Sequence, residues 1–437
     1  MVDTKSKGEI LTSVLGIIAE FNPFHNGHLH LIQTARQTQD FSAIVCVMSG
    51  NFLQRGDVAL CNKWVRARMA LQAGADLVIE LPFCFAVRSA YFFARGSIEL
   101  LYRTTAVSHL AFGSESGMLG ELQSISTIIA HENQEYKTHL KYHLDQGLSF
   151  PSARALAIRA IIGKQVPGLE QIIMQPNNIL ALEYLRVLEQ QSIPLKPLTI
   201  ARKGSGYNSL ELSPYASASA IRRVLLSPSE DIRIEDSMPL DSLALLNQEI
   251  CAGRAPVTID ALEQSILGKL RTIPLKKLRQ IYEVTEGLEN RIKQAAISSG
   301  TLEELRQSIK SKRYSLTRIN RILLYSLLDV EGEQMLSFDQ HGPLYMHILG
   351  FSTKGQKILQ TIKNKSKLRV LNRGSEVKKA CQDTSDPTLQ AMLGLDVRAT
   401  DIYCLLYPNS STRHGSQDFT TSPVIVGDDA NAQTLLS

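Results

Sequence analysis

No two of the six cysteines form a CxxC pair; they stand singly at 46, 61, 84, 251, 381 and 404. That argues against a zinc ribbon and a thioredoxin-type redox motif. Scattered single thiols fit a reducing compartment rather than a disulfide scaffold, so a cytoplasmic location is expected. No uninterrupted apolar run reaches the length of a bilayer span, and no membrane association is expected. Lys5 and Lys7 followed by Ile10 to Ala19 imitate a signal peptide, but Glu9 and Glu20 bracket that run and no small-residue cleavage site follows. Charge of one sign is not in large excess either: 47 Lys plus Arg face 42 Asp plus Glu, a net of +5. Total charge therefore does not identify a polyanionic partner, and its distribution must be read instead. There is no convincing internal repeat and no low-complexity tract.

What is present is an ordinary globular composition, 44% hydrophobic and 20% charged over 437 residues, enough for two or three domains. The first half alternates. Short β-branched runs (Ser13 to Ala19, Ser42 to Met48, Asp76 to Leu81, His109 to Phe112, Pro197 to Ala201) are separated by helix-period segments (Gly27 to Gln39, Lys63 to Ala73, Phe85 to Tyr102, Gly117 to about Leu188). Strands apolar on both faces and interleaved with helices predict an α/β fold: a Rossmann-like parallel sheet covered by helices. The polar stretch Ser227 to Pro239, with two prolines, marks a boundary. The expected organisation is a tail at 1–12, an α/β domain at 13–228, a mainly helical basic region at 240–408, and a frayed tail at 409–437.

The sharpest feature is GIIAEFNPFHNGHLHL, Gly16 to Leu31. It places His25-Asn26-Gly27-His28 directly after a strand and at a helix start. Asn22 and Pro23 turn the chain out of the sheet. Gly27 leaves room for a nucleotide against the backbone. The helix start offers free N–H groups and a positive dipole end to phosphate. His25 and His28 can donate hydrogen bonds that strengthen as charge builds on an α-phosphate. A zinc site built on His25, His28 and His30 is disfavoured, because no carboxylate or cysteine at ligand spacing accompanies them. Read as plain structure, these are polar residues of a strand–helix turn; the strand, turn, motif and amphipathic helix in succession favour nucleotide binding.

These residues, with VMSGNFLQRGDVAL, KWVRARMALQAGADLVIELPF, FARGS, FGSESG, PNNILALEYL and SASAIRR, resemble the bacterial tRNA(Met) cytidine acetate ligase family. That family lies within the HxGH nucleotidylyltransferase superfamily, relatives of class I aminoacyl-tRNA synthetases. The resemblance is dense from Gly16 to Arg223 and continues more thinly in LGFSTKGQKIL and VRATDIYCLL. It implies ATP-dependent activation of acetate to acetyl-adenylate. Acetyl transfer to N4 of the wobble cytidine of elongator tRNA(Met) follows. It further implies an ATP site at Ile17, Ile18, Ala19, Glu20, Phe21, Asn22, Pro23, Phe24, His25, Asn26, Gly27, His28, Leu29 and His30. Gly113, Asn177 and Arg202 complete that site, with His25 and His28 catalytic.

Each outlying residue also has a plainer reading. Gly113 at a strand end suits close nucleotide approach or a simple turn. Asn177 suits an adenine edge or ribose, but Pro176-Asn177-Asn178 is also a good helix start, and Asn178 could serve instead. Arg202 suits phosphate or solvent. Ser219 and Arg222 resemble a segment that closes over phosphates. Gln54-Arg55-Gly56, Lys63 and Arg66 form a further polar group, suited to acetate, pyrophosphate, RNA or a solvated helix face. Two departures stand out. Tyr207-Asn208-Ser209 replaces the family's Tyr-His-Asp-like segment, and there is no KMSKS-like loop. Mg²⁺ is expected with ATP on chemical grounds alone.

Residues 269–321 hold thirteen Lys or Arg against five Glu, a local excess of eight. A second basic run spans Lys354 to Lys379. Together they predict a surface that tracks a tRNA backbone, with few aromatics (Tyr282, Tyr314) for base stacking. Two other functions compete: adenylylation of a small phosphate metabolite, and RNA binding without catalysis. The long basic half argues against the first, and the intact His25-Asn26-Gly27-His28 argues against the second.

Overall fold

The computed structural model describes residues 13–166, 168–203, 213–226 and 234–427. The expected 1–12 tail, Tyr207-Asn208-Ser209, residues 227–233 of the boundary and residues 428–437 lie outside them. Among the described residues eight strands form one sheet: β1 (Val14–Ala19), β2 (Ala43–Ser49), β3 (Leu77–Leu81), β4 (His109–Ser114), β5 (Lys196–Ala201), β6 (Tyr345–Ser352), β7 (Arg369–Leu371) and β8 (Val424–Val426). The order is β5-β4-β1-β2-β3-β6-β7, with β8 pairing β6. Strands β1 to β5 are mutually parallel. The five expected strands are all present, within two residues of their expected ends.

Both faces of the sheet are covered, as the unbroken apolar runs require. Period-two alternation splits the central strands between two cores, as in β2, where Val45 and Val47 join one, and Ile44, Cys46 and Met48 the other. Helices α1 (Asn26–Thr38) and α2 (Lys63–Gln72) follow β1 and β2. The expected Phe85 to Tyr102 helix is two helices, α3 (Phe83–Ala86) and α4 (Ala90–Arg103). Between them Arg88 is fully buried, its guanidinium on Asp339 at 3.0 and 3.2 Å. Among the described residues no helix is long and apolar enough to cross a membrane.

The second half departs from the expected partition. Strand β6 returns antiparallel to β3, pairing Glu80 with His347, and β7 and β8 run parallel to β6. The 228/240 division therefore cuts through one sheet. The cause is YMHILGFS, a strand with all eight residues buried, set among helices that gave no sign of it. Residues 409–427 are not frayed: β8 pairs with Gly350, Phe351 and Ser352, and Asp418 is buried against Lys63.

Candidate functional site

The strand order reverses between β1 and β4, and open parallel sheets bind ligands outside the carboxyl ends at such a crossover. A cavity of about 280 Å³ lies there. The first wall is the turn after β1. Phe21 adopts φ 48, a left-handed conformation rare for an aromatic residue. Its buried ring is held by Phe24 at 4.9 Å and His28 at 5.0 Å. Such locally strained backbone is typical of functional turns.

The two histidines make the helix start. His25 is the N-cap: its Nδ1 accepts from Gly27 N–H at 3.0 Å. His28 reciprocates, its Nδ1 accepting from His25 N–H at 3.2 Å. This is a capping box built from imidazoles. The rings stack with centroids 3.8 Å apart. Because each Nδ1 accepts a hydrogen bond, each neutral ring carries its proton on Nε2. Burial lowers the His25 pKa to about 3, with Arg202 and Arg222 adding to the effect. Burial, then His25 and Arg202, also holds His28 well below the ordinary value. The pair is neutral at pH 7. Gly27 has a reason the sequence did not disclose: a Cβ there would lie 2.7 Å from His25 Cε1, so any side chain unseats the cap.

Of the expected residues, Ile18, Ala19, Glu20, Phe21, Asn22, His25, Gly27, His28, His30, Gly113, Asn177 and Arg202 line the cavity. Ile17, Pro23, Phe24, Asn26 and Leu29 do not. Ile17 and Phe24 are core, and Asn26 ties the turn to the Pro214 and Asp236 carbonyls at 2.9 and 2.8 Å. Asn22 Oδ1 accepts from Leu60 N–H, while its buried Nδ2 has no acceptor among the described residues. The two asparagines separate. Asn178 is fully buried; its Oδ1 accepts from Glu115 N–H at 2.9 Å and its Nδ2 donates to Gln175. Asn177 faces the cavity, donating to Glu115 Oε1 at 2.7 Å and accepting from Arg202 at 3.1 Å. Gly113 lies within β4, not in a turn, and a Cβ there would meet Arg202 Cγ at an ordinary 3.5 Å.

Ser219 and Arg222 complete the rim, Arg222 donating to the Asn22 carbonyl at 2.7 Å. Gln54 and Arg55 also line the cavity. Glu20 Oε1 accepts from Gln54 N–H at 2.7 Å; burial raises its pKa against the opposing pull of that bond and of Arg222, Arg55 and Arg66. Lys63 and Arg66 are not at the cavity and not solvated. Both are fully buried. Arg66 donates to the carbonyls of Glu20, Ser49, Gly50 and Cys61, pinning β1 to β2. Lys63 lies 2.7 Å from Glu80 and 2.6 Å from Asp418. Glu80, His347 and Asp418 converge closely enough to suggest a metal centre, but the Lys63 ammonium already sits against both carboxylates, and His347 Nδ1 lies 2.6 Å from Glu80. Sequence reasoning missed Phe93, Phe112, Leu180 and Tyr184, the apolar cavity wall. They come from α4, β4 and the Pro176–Gln190 helix; they lie within FARGS, FGSESG and PNNILALEYL, but nothing in those strings tells a cavity-facing apolar side chain from a core one.

A parallel sheet with a histidine-capped helix beneath convergent arginines defines a nucleotide-binding α/β protein of the nucleotidyl transferase class. The family model for HIGH Nucleotidyl Transferase matches residues 12–418. A tRNA(Met) cytidine acetate ligase of Syntrophomonas wolfei subsp. wolfei is 58% identical, over 94% of this chain and 99% of its own. Its counterpart in Halothermothrix orenii is 41% identical, over 93% and 98%. The crystal structure of Thermotoga maritima TmcAL superposes with a TM-score of 0.88 at 33% identity, covering 95% of this chain and all of that one. A second structure of that protein, bound with alpha-thio ATP, superposes with a TM-score of 0.87. The chain belongs to the tRNA(Met) cytidine acetate ligase family of HIGH nucleotidyl transferases.

Proposed function

We propose that the protein uses ATP to activate acetate and passes the acetyl group to N4 of the wobble cytidine of elongator tRNA(Met). The observation that carries the reading is the neutral His25–His28 pair, tautomers fixed by their own helix cap, at the cavity wall beside Arg202 and Arg222. An acetate oxygen attacks the α-phosphorus, and the bond to the bridging oxygen of pyrophosphate breaks. The imidazole Nε2–H groups donate to the phosphate oxygens as charge builds, at the positive end of the α1 dipole. Arg202 and Arg222 hold the polyphosphate. The cytidine amine then attacks the acetyl carbon, AMP departs, and N4 sheds a proton. Glu20 is the carboxylate in the wall suited to accept it; Glu20→Gln should slow transfer to tRNA more than acetate-dependent ATP–pyrophosphate exchange.

Mg²⁺ bound with ATP would neutralise phosphate charge. Glu20 and Asp57 are the wall carboxylates that would hold it, and each already accepts a backbone N–H, from Gln54 and Val58. Most ligands would then be phosphate and water oxygens. The test is incubation with ATP, labelled acetate and bulk tRNA. Label in one tRNA species supports the reading. ATP turnover only with a small phosphate metabolite, or tRNA binding with no ATP consumption, overturns it.

A further inference from the structure

The two basic runs carry the same excess of charge, eight each, but the fold uses them differently. In 269–321, five cations are spent on carboxylates: Lys269 on Asp329, Arg279 on Glu289, Arg306 on Glu303, Arg313 on Glu286 and Arg321 on Glu283. Four more donate to backbone carbonyls. Arg271 and Arg291 hold Ala296 and Ser308, while Lys293 holds Ile273 and Arg318 holds Glu283. Nine of the thirteen thus hold the protein's own carboxylates and carbonyls, and Lys276, Lys277, Lys310 and Lys312 remain, exposed and without a side-chain partner among the described residues.

The second run differs. From Thr353 to Ser375 there is no acidic residue. The Thr353–Lys365 helix buries Gly355, Ile358, Leu359 and Ile362 on the sheet. Its exposed face is Thr353, Lys354, Gln356, Lys357, Gln360, Lys363, Asn364 and Lys365. Lys367 continues it, also exposed. Lys354, Lys363, Lys365 and Lys367 have no side-chain partner among the described residues. The nearest acids in sequence are engaged: Glu376 accepts from Asn372 and Arg373 N–H, and Asp383 pairs with Arg369. Helix-dipole compensation accounts for cations in the last turn, but Lys354 stands in the first turn, where a cation opposes the dipole and no acid offsets it. An ordinary solvated face mixes both signs. This one carries cations alone.

We propose that the tRNA sugar–phosphate backbone docks on the Thr353–Lys365 helix and Lys367, and that residues 269–321 contribute little to its affinity. This rests on the tRNA reading above. The test is filter binding of tRNA to the full chain across a salt series. Lys354→Gln, Lys363→Gln, Lys365→Gln and Lys367→Gln together should lower the log Kd against log salt slope by about 3, and weaken binding at least roughly tenfold. The comparison variant, Lys276→Gln, Lys277→Gln, Lys310→Gln and Lys312→Gln, should leave the slope unchanged. Melting temperatures check that both variants fold. An unchanged slope in the first variant, or an equal fall in the second, overturns the proposal. Acetate-dependent ATP–pyrophosphate exchange by the wild-type chain is measured alongside. Its absence defeats the acetate reading without touching the salt slopes.

Discussion

Replacing Lys63 by methionine separates a structural from a chemical role. Its ammonium contacts Glu80 at 2.7 and 2.9 Å, Asp418 at 2.6 Å and Thr400 Oγ1 at 3.2 Å, all buried. The paired carboxylates raise the Lys63 pKa against its burial, so the charge is retained. Removing it leaves Asp418, in the Gln417–Thr420 helix that precedes β8, without its cation, and Glu80, on β3, with His347 Nδ1 at 2.6 Å as its remaining partner. Breaking a buried ion pair from one side costs about 3–5 kcal/mol. With an unfolding entropy near 2 cal/mol/K per residue, that lowers the melting temperature by roughly 4 °C. Adding Glu80→Gln and Asp418→Asn removes the stranded charges and should recover about half of the loss. The assay is thermal unfolding by circular dichroism, with acetate-dependent ATP–pyrophosphate exchange measured below the transition. Unchanged melting with exchange abolished would refute the reasoning and return Lys63 to the chemistry.

The remaining expectations concern the cavity. In the ligand-free protein, His25 and His28 should show no proton uptake by NMR between pH 8 and 5.5, with both rings protonated on Nε2. The unfolded chain takes up protons below about pH 6.5 and folded His25 does not until about 3, so stability falls with acidification: about 2 kcal/mol from His25 between pH 6.5 and 5. A stability profile flat across that window contradicts this. Gly27→Ala should fold, since alanine favours a helix by about 1 kcal/mol, yet lose at least roughly a hundredfold in exchange by unseating His25. Gly113→Ala fits the protein sterically, so a rise in KM for ATP without a fall in melting temperature reports nucleotide approach. Asn178→Ala should cost about 1–3 kcal/mol of stability by orphaning the Glu115 N–H, whereas Asn177→Ala should spare stability and raise KM for ATP.

The first four parallel strands were legible because each is a short apolar run followed by a turn and a helix-period segment; β5, KPLTIA, was legible only as a β-branched run after a long helical stretch. Strand β6 was not, because an isolated apolar run of eight residues among helices has no periodicity that separates strand from buried helix. Within the site, the histidine motif was legible as a strand–turn–helix junction. The buried positions of Lys63 and Arg66 were not: KWVRAR has the composition of a solvated helix face. Only the third dimension supplies Asp418, 355 positions away, and the carbonyls that Arg66 crosslinks. The apolar wall of Phe93, Phe112, Leu180 and Tyr184 was equally silent, since aromatic and leucine residues at helical spacing read as core.

The capping geometry also explains why histidine suits this position better than lysine. A lysine would bring a fixed positive charge to a cavity that already holds Arg55, Arg202 and Arg222. Charge that binds ground-state triphosphate as firmly as the transition state lowers KM without raising kcat. A neutral imidazole whose Nδ1 is committed to the backbone offers one oriented N–H, and such a donor gains most when charge accumulates at the α-phosphate. The orientation comes at little entropic expense, because the same bonds that fix the rings also start helix α1. Catalytic geometry and helix capping are one set of hydrogen bonds, so a substitution that disturbs the cap should lower kcat before it raises KM.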